Sequence, residues 1–110
     1  MAAKSLPYSV KTGTGDQFDI EFPLHPDTQE VVRVTQLLSA ILATIDNDIA
    51  SMGETSNGDV LQAAAMALAI RARMIHAPHE TVEGLTRELV ETALNAVAES
   101  ERITPRIGHA

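Results

Sequence analysis

Residues 27–53 read DTQEVVRVTQLLSAILATIDNDIASMG, and this stretch decides the fold. Val31, Val34, Leu38, Ile41, Ile45, Ile49 and Met52 recur at spacings of three and four, which puts them on one face of an α-helix. Asp27 and Glu30 fit a capping box at its start, each able to answer an orphan backbone N–H of the first turn. Gly53 supplies the residue that closes a helix in the left-handed region. Val32, Leu37 and Leu42 flank the stripe, so the helix is apolar over more of its circumference than a surface helix needs. At about 1.5 Å per residue it spans roughly 37 Å, the diameter of a small domain. The remainder of a short chain has to cover it.

Downstream, residues 54–59 are polar, and Ser56, Asn57 and Asp59 can each cap a second helix. That helix is expected from about Val60 to His76, rich in alanine, with Leu61, Leu68 and Ile75 repeating every seven residues and Ala65 and Ala72 between them. Pro78 breaks it and suits the first turn of a third helix ending near Ser100, with Glu80 close to the positive helix end. Val82, Leu85, Leu89, Ala93 and Val97 form the third stripe, widened by Val90 and Leu94; Glu83, Arg87, Glu88, Glu91 and Glu99 lie on the wet side.

Upstream the texture changes. All three aromatic residues, Tyr8, Phe18 and Phe22, precede Pro23. Tyr8-Ser9-Val10 and Phe18-Asp19-Ile20-Glu21-Phe22 alternate apolar with polar around the turn-forming residues 12–16, which predicts a β-hairpin or extended arm. The fold class expected is therefore mainly α: an N-terminal hairpin or arm over residues 1–26, three antiparallel helices over 27–102, and an irregular tail over 103–110, the bundle being completed by dimerisation.

Composition narrows the function. The 110 residues contain no cysteine, which excludes disulfides, thiolate nucleophiles and Cys-ligated metals and makes a reducing cytoplasm the simplest location. A formal charge of −7 repels nucleic acid. The longest apolar run, residues 63–70, is far short of a membrane span, and the first residues contain no apolar leader core. No cofactor is expected.

Four histidines are the groups best suited to bind metal or move protons near neutral pH. His76 and His79 flank a helix corner and are the metal candidates, with His25, Glu80 or Asp27 as conceivable companions. The plainer account puts His76 near a helix C-terminus and leaves His79 solvated, since no zinc signature is present. Arg33, Arg71 and Arg73 are the candidate anion-binding group, set against simple pairing with the protein's fifteen carboxylates. Asp46, Asp48, Glu54 and Asp59 concentrate acid near the first helix connection, yet they fit no EF-hand loop. Of these, Asp48 borders the apolar stripe, where a carboxylate would need Arg71 or Arg73 beside it.

Met52, Met66 and Met74 suit an adaptable core, and none of Ser39, Ser51 and Ser56 sits in a nucleophile elbow. Lys11-Thr12-Gly13 and Gly13-Thr14-Gly15 match fragments of the penicillin-recognising and phosphate-loop signatures. A hairpin turn explains both, because the first lacks the SxxK nucleophile and a chain long enough for that fold, and no helix follows the second to face a phosphate. The expected function is a small acidic, non-enzymatic helical interaction or regulatory module acting as a homodimer, with a further protein partner conceivable. The alternatives are a small-molecule or anion binder, or a His-based metal or enzyme site at a subunit boundary.

Overall fold

The computed structural model describes residues 4–11 and 15–103. In chain order they form β1 (Ser5–Lys11), β2 (Gln17–Pro23), α1 (Val31–Met52), α2 (Asn57–Arg73), α3 (His79–Glu99) and β3 (Glu101–Ile103). The protein is mostly helical, with an antiparallel hairpin at the N-terminus. Residues 12–14, where the sequence places the hairpin turn and the two signature fragments, lie outside the described residues, as does the tail from residue 104.

Two units divide the chain: one comprises Met1–Thr35 with Val90–Ala110, the other Gln36–Leu89. In the first, β1 pairs with β2 so that Leu6 faces Phe22, Tyr8 faces Ile20 and Val10 faces Phe18. Strand alternation sends all six side chains to one face, and Leu6 and Ile20 are buried, as is Ala96 of α3. On the other face Ser9 Oγ donates to Asp19 Oδ1 at 2.6 Å. The three-residue β3 pairs antiparallel with residues 17–19 of β2, a strand that local sequence patterning does not signal.

The capping box at Asp27 does not form, and α1 starts at Val31. Residues 25–28 make a turn instead, in which Thr28 N–H donates to the His25 carbonyl at 2.9 Å. Lys4 Nζ donates to the carbonyl of Thr28 at 2.8 Å and to that of Pro26 at 3.4 Å, tying this turn to the start of β1. The first helical acceptor is Glu30, whose carbonyl takes the N–H of Val34.

At its other end α1 stops as the sequence requires. Gly53 has φ +94° and its N–H reaches the Ile49 carbonyl at 2.9 Å, a left-handed closure that favours glycine. Ser56 then caps α2, its Oγ accepting from Asp59 N–H at 3.1 Å, and the helix begins three residues before the expected Val60. Within α3 the first carbonyl acceptor is Pro78, which takes the N–H of Val82 and so sits just outside the helix.

Burial in the second unit is sparse. Val82 is its one buried residue. Along α1 the half-buried positions are Val31, Thr35, Leu38, Leu42, Ile45 and Ile49, while Val34, Ile41 and Met52 of the expected stripe are exposed. The covered line is thus rotated toward Leu42, as a helix with apolar flanks permits.

Candidate functional site

Each candidate polar group can now be placed. His76 lies in the bend after α2 and is exposed; His79 opens α3. The Nε2 of His79 stands 3.3 Å from Glu83 Oε1, one helical turn on. Arg87, a further turn along, donates from Nε at 3.0 Å and from Nη2 at 2.8 Å to the other Glu83 oxygen. The guanidinium hydrogen bonds and charge of Arg87, with a smaller contribution from His79, hold the Glu83 carboxyl below its ordinary range. Glu83 is therefore the centre of an exposed helical triad. Apolar periodicity assigns Glu83 and Arg87 to the wet face without pairing them, although their i, i+4 spacing carries the signal.

His25 belongs to the first unit. Its Nδ1 accepts the Asp27 backbone N–H at 3.1 Å, so the 3.8 Å approach of Asp27 Oδ2 to the same atom is not an ion pair: a nitrogen receiving a proton there has none to give. Among the described residues no three His, Asp or Glu side chains gather as a metal ligand set. Glu80, His76 and His79 share a corner of the chain without converging on a centre; His109 lies outside the described residues.

Arg71 Nη1 donates to Met74 Sδ at 3.3 Å, and neither Arg71 nor Arg73 forms an ion pair with a carboxylate among the described residues. Counting acids over the whole chain hides the reason: α2 contains a single acidic residue, Asp59, and it sits at the opposite end of the helix from both arginines. Arg71 and Arg73 are also two positions apart, about 200° around the helix, so they leave α2 in nearly opposite directions. Arg33 is exposed at the start of α1 and lies in the first unit. Asp46, Asp48, Glu54 and Asp59 are all exposed, and Asp48 needs no buried partner.

What the second unit does display is apolar surface, concentrated on α2. This helix has no buried residue. One side carries Leu61, Leu68 and Ile75 at 73%, 44% and 52% exposure, with Ala65 and Ala72 between them. The opposite side carries Met66, Ile70 and Met74 at 55%, 63% and 56%. A helix apolar on both sides is an interior helix by composition, whereas here it lies open. On α1 the exposed Leu37 and Ile41 extend the apolar surface of the same unit.

Comparison with family models, curated proteins and solved structures finds no match. The chemistry of α2 therefore has to speak for itself. No helix of the described residues is long and apolar enough to cross a membrane.

Proposed function

We propose that the chain is a small acidic, non-enzymatic interaction or regulatory module that acts as a homodimer in the cytoplasm, its helices completed by a second copy. The single observation that carries this reading is α2: large apolar side chains on two opposite sides and not one of them buried. Monomeric proteins keep such patches small, because exposed apolar area favours association.

The sheet is a poorer candidate for the interface. Leu24 N–H donates to the Lys4 carbonyl. The alternation of an antiparallel ladder then makes 6/22, 8/20 and 10/18 the hydrogen-bonded pairs and turns the backbone groups of Pro7 to the outer edge of β1. Proline has no N–H to give there, so the free edge lacks its central donor and resists strand addition. The open sides of α2 are the better-supported surface.

Sedimentation of the unmodified protein at micromolar concentration tests the reading, with and without added divalent metal. The expected species has twice the 11.8 kDa chain mass in both conditions. A stable single-chain species would overturn it, and assembly only in the presence of metal would favour the His76 and His79 corner instead. Ile41→Asp places a charge on the open flank of α1 and should give a less stable monomer or an unfolded chain.

A further inference from the structure

The open side of α2 has an order of its own. From Gly58 the positions three and four residues apart are Leu61, Ala65, Leu68, Ala72 and Ile75, so small and large residues alternate along one seam. Ile75 lies just beyond the helix, in a turn that continues its path through the bond from Ile75 N–H to the Ala72 carbonyl. This is the spacing of a coiled-coil seam, with every large residue in one class of position and every small residue in the other. Leu61, Leu68 and Ile75 are all substantially exposed, so the large members are open to a partner.

We infer that two copies of this chain pair their α2 helices antiparallel, Gly58 facing Ile75, Leu61 facing Ala72 and Ala65 facing Leu68 across a two-fold axis. The inference rests on the self-association proposed above and adds its surface and direction. Antiparallel pairing sets each large residue against a small one, and the two-fold repeats every layer, so all layers have nearly the same width. Parallel pairing in register sets Leu61 against Leu61 and Ala65 against Ala65. Wide and narrow layers would then alternate along one fixed helix separation, and the narrow ones would leave voids that close-packed interfaces avoid.

Charge points the same way. The charged residues of α2 are Asp59 at the start and Arg71 and Arg73 at the end. An antiparallel pair brings the acidic end of one helix beside the basic end of the other and opposes the two helix dipoles; a parallel pair stacks like with like at both ends. On a protein with formal charge −7, this helix is a place where two copies meet without confronting carboxylates. Of the residues flanking the seam, Asn57, Gln62, Ala64 and Ala69 carry no charge, and the others are Arg71 and His76. Arg71 crosses beside Ala64 of the other copy, where its stem can lie over a small residue.

Cysteine pairing tests the arrangement, because the natural chain has no thiol to interfere. Leu61→Cys and Ala72→Cys proteins are unfolded together, refolded and oxidised, and each is treated alone in parallel, with covalent mass as the readout. Positions 61 and 72 of one helix stand about 16 Å apart, too far for a disulfide within a chain. The mixed sample should crosslink between unlike chains, and each variant alone should not. Crosslinking of Ala72→Cys with itself would overturn the antiparallel arrangement in favour of a parallel one. Absence of any crosslink in a protein that still sediments as a dimer would remove α2 from the two-fold while leaving the homodimer intact. A single-chain species for the unmodified protein would overturn the homodimer first. Should Leu61→Cys fail to fold, Gly58→Cys with Ile75→Cys repeats the test, since a Cβ at Gly58 would meet only Ser56 Oγ at 3.9 Å.

Discussion

Replacing Leu68 separates a working interface from an idle surface. In the single chain Leu68 is 44% exposed. Full burial of a leucine side chain stabilises by about 1.5–3 kcal/mol, so covering the exposed fraction contributes about 0.7–1.3 kcal/mol per copy. A two-fold dimer contains the residue twice. Leu68→Ala should therefore weaken dimerisation by about 1.3–2.6 kcal/mol, roughly 10- to 80-fold in the dissociation constant. Leu68→Glu adds the desolvation of two carboxylates, several kcal/mol each, and should abolish the dimer at any practical concentration.

The sign of the effect makes the experiment decisive. On an idle surface helix, Leu→Ala changes stability by no more than about 0.5 kcal/mol, and alanine is the better helix former. Sedimentation equilibrium gives the dissociation constant directly. Thermal unfolding followed by circular dichroism at several protein concentrations provides the second readout, because a dimer melts higher as concentration rises. Equal dissociation constants for the natural and Leu68→Ala proteins, or a melting temperature independent of concentration in both, would refute the reasoning.

Three further perturbations read individual features. Ser56→Ala removes the side-chain acceptor of Asp59 N–H, so it should cost about 1 kcal/mol and lower the melting temperature by roughly 4–8 °C; an unchanged melt would show that the cap contributes nothing. Arg87→Gln removes the hydrogen bonds and charge that depress the Glu83 carboxyl, and a carbon-detected NMR titration should show its midpoint rise; because the folded value is depressed, the contribution to stability is present above the ordinary carboxylate range and fades as pH falls through the folded value, and a titration indifferent to Arg87 would contradict this. Chelation with EDTA should leave the melting temperature unchanged, whereas a fall of more than several degrees restored by zinc would point to a metal at the His76 and His79 corner.

The sequence carries the local part of this fold well and the non-local part poorly, for physical reasons visible at single residues. Gly53 is legible because a helix end that needs positive φ favours glycine, and the strand alternation around Phe18 and Phe22 is legible because a half-buried sheet has a period of two. The start of α1 is not legible. Asp27 and Glu30 satisfy the local capping pattern, but a lysine 24 residues away bonds the Thr28 carbonyl, and the turn of residues 25–28 displaces the helix start to Val31. β3 escapes for the same reason, since three residues become a strand only by meeting residues 17–19. The rotation of the covered line on α1 has a different origin: with apolar residues on the flanks as well as the stripe, periodicity alone does not choose the centre. As for the site, the heptad of Leu61, Leu68 and Ile75 can be read from spacing, whereas the openness of both sides of α2 depends on what the rest of the chain packs against and has no local signal.

That openness also bounds the strength of the assembly. Covering Leu61, Leu68 and Ile75 in both copies, from their exposures of 73%, 44% and 52%, contributes about 5–10 kcal/mol in all. Association costs on the order of 4–15 kcal/mol in lost freedom. One seam alone therefore sits near balance and would give a weak dimer. Met66, Ile70 and Met74 occupy the opposite side of the same helix at similar exposure, so they cannot be reached by the helix that covers the first seam. Burying this second side as well would tighten the dimer, and the open Leu37 and Ile41 of α1 are apolar surface of the same kind. The expected outcome is that Ile70→Glu and Leu68→Glu each disrupt assembly, with sedimentation as the measure. If only Leu68→Glu does so, a single seam suffices and the energetic bound is too low. If only Ile70→Glu does so, the contact lies on the other side of α2 and the heptad seam is idle.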